Sequence, residues 1–158
     1  MTSLFRYNLL LAVGWCALLG ELSVPNLVVG FLVGFLALSI SGPMFRRTRY
    51  FTSFLRYGRL ALYFAVEFFR SSMLVAWDVL TPKHKSRPAI VAIPLDLEHP
   101  LQITTLANLL SLTPGTLSLD VSPDRKTLYV HAMFVRDPEE TRLAIKNGLE
   151  RLVKEAMR

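Results

Sequence analysis

Two uncharged apolar runs open the chain. The first, Leu9–Gly20, falls short of the about 20 helical residues that a bilayer core requires. Tyr7, Asn8 and Leu22 extend it to a marginal span. The second, Leu22–Phe45, is longer, and Pro25 and Asn26 place the helix start near its beginning. Gly42 ends it before Pro43. Only Glu21–Asn26 separates the runs, so the two helices must be antiparallel neighbours, which predicts a transmembrane helical hairpin over residues 1–45. A signal peptide is the competing reading, with Arg6 ahead of Leu9–Leu19. No A-x-A-like cleavage site follows, Trp15 before Cys16 is a poor match to a lipoprotein site, and the second run would be left without a role. Gly30 and Gly34 lie four apart on one face of the second helix. Such spacing lets another helix backbone approach closely, and favours protein over lipid on that face.

A third apolar segment, Leu60–Leu80, is punctuated by Glu67, Arg70, Ser71 and Asp78. At about 100° per residue these polar positions and Leu74 share one narrow stripe, which predicts an amphipathic helix with a very wide apolar face. Two placements stay open. A full span would put residues 81–158 outside the cell. A helix lying in the cytoplasmic interface would keep them inside, and the basic run Lys83, His84, Lys85, Arg87 favours this second placement. A polar stripe at membrane depth faces protein, because an ionised group facing lipid is costly. Glu67 and Arg70 are spaced to pair within the helix.

The pattern then changes character. Ala89–Leu97 alternates, and Pro94 marks it as an edge strand. Pro100 opens a helix in which Ile103, Leu106, Ala107 and Leu110 recur at helical spacing, and Pro114-Gly115 stops it. Thr116–Val121 alternates Leu117, Leu119 and Val121 against Ser118 and Asp120. Thr127–Val135 alternates Leu128, Val130, Ala132 and Phe134. Pro123 and Asp124 form the turn of an antiparallel hairpin. The last helix starts with Asp137 as cap, Pro138 in the first helical position and Glu140 closing a capping box. Ile145, Leu149, Leu152, Val153 and Ala156 make its apolar face, opposite Lys146, Glu150 and Lys154. The order is β-α-β-β-α. About 70 residues bury only a marginal core, so this module leans on a partner or on the membrane helices.

The 158 residues are 52% hydrophobic and 19% charged, with a formal net charge of +6. The charge is unevenly spread. Residues 43–59 carry Arg46, Arg47, Arg49, Arg56 and Arg59 and no acid, whereas residues 81–158 are nearly balanced. Positive loops stay cytoplasmic, so this segment and the N-terminus belong inside and the Glu21–Asn26 turn outside. The arginines are an orientation signal, and nucleic-acid binding is not expected. The single cysteine excludes an internal disulfide and a Cys-rich metal site.

The fold class expected is therefore a membrane protein of α plus α/β type. A helical hairpin occupies residues 1–45. A basic loop and a membrane-associated amphipathic helix occupy 46–87. A small cytoplasmic β-α-β-β-α domain occupies 88–158. No enzyme is expected: there is no phosphate loop, no G-x-G-x-x-G and no G-x-S-x-G. His84, His99 and His131 lack metal-ligand spacing, so neither metal nor cofactor is expected. Ser118, His131 and Asp120 make at most an imagined triad.

Several stretches carry a family resemblance: Ala76-Trp77-Asp78-Val79-Leu80-Thr81-Pro82, Pro88–Leu95, Leu106–Ser118 with its Leu112-Thr113-Pro114-Gly115-Thr116 core, and Leu128-Tyr129-Val130-His131. Gly20-Glu21 and Asn26–Gly30 agree as well. Their order and content resemble the E subunit of the Mrp-type multisubunit Na+/H+ antiporters of bacteria. The resemblance implies a multi-pass protein of the bacterial cell (inner) membrane, whose complex exchanges cytoplasmic Na+ for external protons. The large antiporter-like subunits carry the main ion pathways. The E subunit is an accessory protein supporting assembly and activity, with other subunits and the lipid bilayer as its partners and a cytoplasmic C-terminal domain. No catalytic residue carries over. Thr113, Pro114, Gly115 and Thr116 become a candidate docking turn against a neighbouring subunit, and Tyr129 and His131 share a strand face suited to such a contact. Two alternatives remain: a stand-alone membrane-anchored adaptor without a transport role, and a direct role of Glu67 and Asp78 in an ion path.

Overall fold

The computed structural model describes residues 2–40, 49–82 and 85–157. The expected helix stop at Gly42 and Pro43, the arginines Arg46 and Arg47, and the basic pair Lys83 and His84 lie outside them. The chain divides into two compact units, Met1–Leu55 and Arg56–Arg158.

The first unit contains α1 (Thr2–Leu19) and α2 (Val24–Ile40), packed side by side. At about 1.5 Å per residue, 18 and 17 residues make rods of about 27 and 26 Å, close to a bilayer's hydrocarbon thickness. Gly20, with φ of +69°, turns the chain out of α1, and its N–H donates to the Ala17 carbonyl at 3.3 Å. Ser23 Oγ accepts from the Asn26 N–H, and the Asn26 side chain donates to the Glu21 carbonyl, closing the connection.

The third helix, α3 (Arg49–Leu80), is 32 residues long. It starts well before Leu60, so Arg49, Arg56 and Arg59 lie on the helix and not in a loop. Arginine is a strong helix former, and the intervening Tyr, Phe and Leu continue the amphipathic pattern through Gly58. Among the described residues α3 supplies the one segment long and apolar enough to cross a membrane, Thr52–Leu80; Leu4–Leu19 and Val24–Ile40 are shorter apolar helices.

The second unit holds β1 (Ala89–Pro94), α4 (Pro100–Leu112), β2 (Thr116–Val121), β3 (Thr127–Ala132), α5 (Pro138–Ile145), a π-helical turn (Lys146–Glu150) and α6 (Arg151–Ala156). The sheet is fully antiparallel in the order β1-β3-β2, which makes β1 an edge strand as Pro94 predicts. Val91, Ile93, Leu128 and Val130 face the helices and are buried with Leu106, Leu110, Leu149, Leu152 and Val153. Leu60 of α3 joins this core, so the small module gains apolar surface from the preceding helix, in line with its size.

Three details depart from the sequence pattern. A bulge between Ser118 and Asp120 shifts the phase of β2, so Leu117 and Leu119 are 49% and 47% exposed while Ser118 turns to α4. Ser118 Oγ donates to the Ala107 carbonyl and its N–H to Ser111 Oγ. The last helix is not one regular helix. Its π-helical turn inserts an extra residue, which buries Gly148, Leu149 and Glu150 consecutively. Glu150 is thus only 2% exposed and not on a solvated face. Finally, the reciprocal capping box sits on α4 and not on α5: His99 Nδ1 accepts from the Leu101 N–H, and Gln102 Oε1 accepts from the His99 N–H. On α5, Asp137 accepts from the Glu139 N–H behind Pro138.

Candidate functional site

The polar stripe of α3 is the natural place to look for chemistry in a largely apolar segment. In the second unit it faces the chain's own α/β module. Leu60 sits in the module's core, Tyr63 reaches Gly148, and Val75 approaches Gly115, as Phe134 does. Glu67 and Arg70 line two neighbouring cavities between α3 and the module, of about 360 and 480 Å³. The smaller also takes in Ser71, Thr113, Thr116 and Asn147. The larger is bordered by Leu74, Lys85, Arg87, Phe134, Arg136 and Glu140. Among the described residues no ion pair joins Glu67 to Arg70, although their spacing permits one. Each side chain opens into the cavities instead.

Asp78 is buried at the end of α3, and its Oδ1 accepts from the Lys85 N–H. A buried carboxylate that takes a backbone donor fixes the path of the chain leaving a helix. Thr81 Oγ1 adds a bond to the Trp77 carbonyl at 2.8 Å. Flanking the stripe on the Arg70 side, an apolar face of α3 stays exposed, with Val66, Phe69, Met73, Trp77 and Leu80 along it.

Thr113-Pro114-Gly115-Thr116 forms a tight, internally bonded turn. Thr113 Oγ1 donates to the Leu109 carbonyl, Thr116 Oγ1 to the Leu110 carbonyl at 2.6 Å, and the Met133 N–H to the Gly115 carbonyl. Gly115 holds φ at +85°, and a Cβ there would meet Val75 and Phe134 at 3.5 Å. The turn therefore rests against α3 of its own chain. Gly30 and Gly34 lie against α1: a Cβ on Gly30 would stand 2.8 Å from Trp15 Cβ, and one on Gly34 would collide with the Asn8 side chain. The protein that the glycine face meets is the other helix of the same hairpin.

Tyr129 and His131 point away from the helices, alongside Ile90, Leu117 and Leu119. Ser118 faces the opposite side of the sheet, so the imagined triad is not assembled. Among the described residues no group of three or more His, Cys, Asp or Glu is arranged to hold a metal ion.

Sequence reasoning missed one polar cluster. Glu150 Oε1 accepts from the Asp96 N–H at 2.6 Å, while Lys146 Nζ pairs with Asp96 at 2.8 Å and donates to the Pro94 carbonyl. Lys154 Nζ donates to the Asp96 carbonyl. The three side chains clamp the strand end that leads into α4. Burial pushes the Glu150 carboxyl above its ordinary value, against the Asp96 N–H and Lys146, which pull it down. The Lys146 hydrogen bond holds the exposed Asp96 carboxyl below its own. Only the four-residue spacing of Lys146, Glu150 and Lys154 hints at the cluster. The π-helical turn that folds it inward leaves no mark in the periodicity.

A family model described as Na+/H+ ion antiporter subunit (MNHE) matches residues 8–156. The chain belongs to this family. Curated relatives agree along nearly the full length. The Na+/H+ antiporter E subunit of Bacillus subtilis (strain 168) is 34% identical over 151 residues, covering 96% of each protein. The E1 subunit of the Na+/H+ antiporter of Staphylococcus haemolyticus (strain JCSC1435) is 35% identical over 148 residues, covering 94% of this chain and 93% of the relative. Among solved structures, a chain of the Mrp complex from Dietzia sp. DQ12-45-1b aligns at a TM-score of 0.51 and 29% identity, over 66% of this chain and 97% of that one. A chain of the membrane-bound sulfane sulfur reductase, an archaeal respiratory membrane complex, aligns at 0.58 over 98% of both chains, but at 24% identity the likeness concerns the fold alone. The mixed helix and small antiparallel-sheet architecture matches that of the Mrp-complex chain.

Proposed function

We propose that the chain is an accessory membrane subunit of a Mrp-type multisubunit Na+/H+ antiporter in the bacterial cell membrane. The observation that carries this is the family match over residues 8–156, with antiporter E subunits similar along more than nine-tenths of their length. Its partners are the other Mrp subunits, and its role is in transport and not in enzymatic turnover. Residues 1–45 serve as a membrane hairpin, 46–87 as a basic segment and interfacial helix, and 88–158 as a cytoplasmic domain.

The seating of the α/β module supports the interfacial placement of α3. A charged domain packed along the helix from Leu60 to Asp78 would have to enter the hydrocarbon if that stretch crossed the bilayer. Lying flat, α3 offers its exposed Val66, Phe69, Met73 and Trp77 face to the acyl boundary and its polar stripe to the domain. The test is a chain with Cys16→Ser and Asp124→Cys, labelled in intact cells and in inverted vesicles. Reaction is expected only in inverted vesicles. Labelling from the cell exterior would overturn the topology. Recovery of the chain without other antiporter subunits, with Na+/H+ exchange intact in its absence, would overturn the functional reading and favour the adaptor.

A further inference from the structure

The larger cavity beside α3 is unusual in its charge. Four cations border it: Arg70 from α3, Lys85 and Arg87 from the connection into β1, and Arg136 from the connection after β3. Two carboxylates, Glu67 and Glu140, face them. Among the described residues none of the four cations lies within 4.0 Å of a carboxylate. Nor are they loose decoration. Asp78 takes the Lys85 N–H, the Arg87 N–H donates to the Met133 carbonyl at 2.7 Å, and the Val135 N–H donates back to the Arg87 carbonyl at 3.1 Å. Lys85 is thus tied to the end of α3, and Arg87 to the strand exit that leads into Arg136. Like charges held together in a groove focus a positive potential that a bound anion relieves.

The surroundings indicate which anion. On α3, Val66 precedes Arg70 by one turn, and Met73 and Trp77 follow it by one and two turns; all three are exposed. A charged groove is therefore bordered by an apolar ledge. A helix lying in the interface sinks its apolar face about 5–10 Å into the headgroup boundary. With a diameter of about 10–12 Å, its polar edge reaches the level of the lipid phosphates. We infer that the groove formed by Arg70, Lys85, Arg87 and Arg136 binds the phosphate of an anionic phospholipid headgroup, with the acyl chains lying along Val66, Met73 and Trp77. A free phosphate shares the headgroup chemistry but makes no use of the ledge. The inference rests on the interfacial placement of α3.

The experiment uses the purified full chain in detergent. Dioctanoyl phosphatidylglycerol, dioctanoyl phosphatidylcholine and inorganic phosphate are titrated separately, and bound species are counted by native mass spectrometry. Phosphatidylglycerol adducts are expected to persist where phosphatidylcholine adducts do not. Arg87→Ala with Arg136→Ala should weaken phosphatidylglycerol binding by about five-fold per cation removed, the fold-change that corresponds to about 1 kcal/mol for each basic residue at a membrane surface. Arg125→Gln with Lys126→Gln, on the distant β2–β3 turn, should leave it unchanged. Arg136→Gln alone covers the case in which the double variant does not fold, with a loss of about five-fold expected. Equal binding of phosphatidylcholine, or unaltered phosphatidylglycerol binding by a folded groove variant, would overturn the inference. So would inorganic phosphate that binds as tightly as the lipid, which would make the ligand a free anion. Exterior labelling of the Asp124→Cys chain would instead count against the interfacial placement, whatever the lipid titration gives.

Discussion

At the residue scale, the π-helical turn concentrates two constraints that a regular helix would not impose. A Cβ on Gly148 would land on the Tyr63 hydroxyl. Gly148→Ala gains about 1 kcal/mol in helix propensity but meets an overpacking cost of about 1–3 kcal/mol. Net destabilisation is therefore expected in the parent chain. With Tyr63→Phe the obstructing oxygen is gone, and the same substitution should become neutral or stabilising; a double-mutant cycle by thermal unfolding reads the difference. Glu150 poses an electrostatic question. Its pKa is raised, so the folded state holds the proton more tightly than the unfolded chain. Stability should fall as pH climbs from the ordinary glutamate value of 4.5 through the raised value, and stay level above it. Glu150→Gln keeps an oxygen for the Asp96 N–H and removes the buried charge. It should flatten the unfolding profile in that window, and an unchanged slope would show that Glu150 is not the titrating group. Asp96 works in the opposite sense, below its ordinary value of 3.8, and is exposed, so its share is small.

Elements were legible in this chain where one periodicity dominated. The alternation at Thr116–Val121 and Thr127–Val135 located both strands, although the second ends at Ala132, and Pro94 located the sheet edge. What alternation did not convey was phase: the bulge at Ser118 and Asp120 reverses which side chains of β2 meet α4, because it depends on pairing with β3. The π-helical turn escaped for a similar reason, since Ile145, Leu149, Leu152 and Val153 fit an ordinary helix equally well. The hairpin glycines were visible, but their partner was a matter of geometry that spacing does not reveal. Their role within the hairpin gives a sharp contrast. Gly30→Leu drives a branched side chain into Trp15 and the Ala12 backbone, 2.8 and 3.0 Å from the Cβ position. It should separate α1 from α2 and lower the amount of chain recovered in membranes several-fold. Gly14→Leu, with nothing within 4 Å of its Cβ, should leave recovery unchanged. Equal recovery of both would mean that close approach is not what holds the hairpin. Gly115 needs a different argument. The contacts of its Cβ would be ordinary, so Gly115→Ala should cost about 1–2 kcal/mol through its φ of +85° alone, and Gly115→Asn less.

At the scale of the molecule, the fate of the polar stripe separates a structural role from a transport role. Sequence placed Glu67, Arg70 and Asp78 on one stripe of α3 without saying what would cover it. The family resemblance made an ion path one option. In the folded chain the stripe turns to residues 85–149: Asp78 orders the exit from α3, and Glu67 and Arg70 border cavities walled by Thr116, Ala144 and Ile145. An ion path needs carboxylates continuous with a route through the bilayer, whereas these are continuous with a soluble-type module. Losing the Asp78 carboxylate leaves a backbone donor without its acceptor, at about 1–3 kcal/mol. Asp78→Ala should therefore lower the quantity of assembled complex. Glu67→Gln, at a cavity edge with no ion pair to lose, should have little effect on assembly. Exchange measured in vesicles and divided by the quantity of complex should match the parent for both variants. Should Glu67→Gln abolish Na+/H+ exchange at unchanged complex abundance, the stripe would belong to the transport path after all.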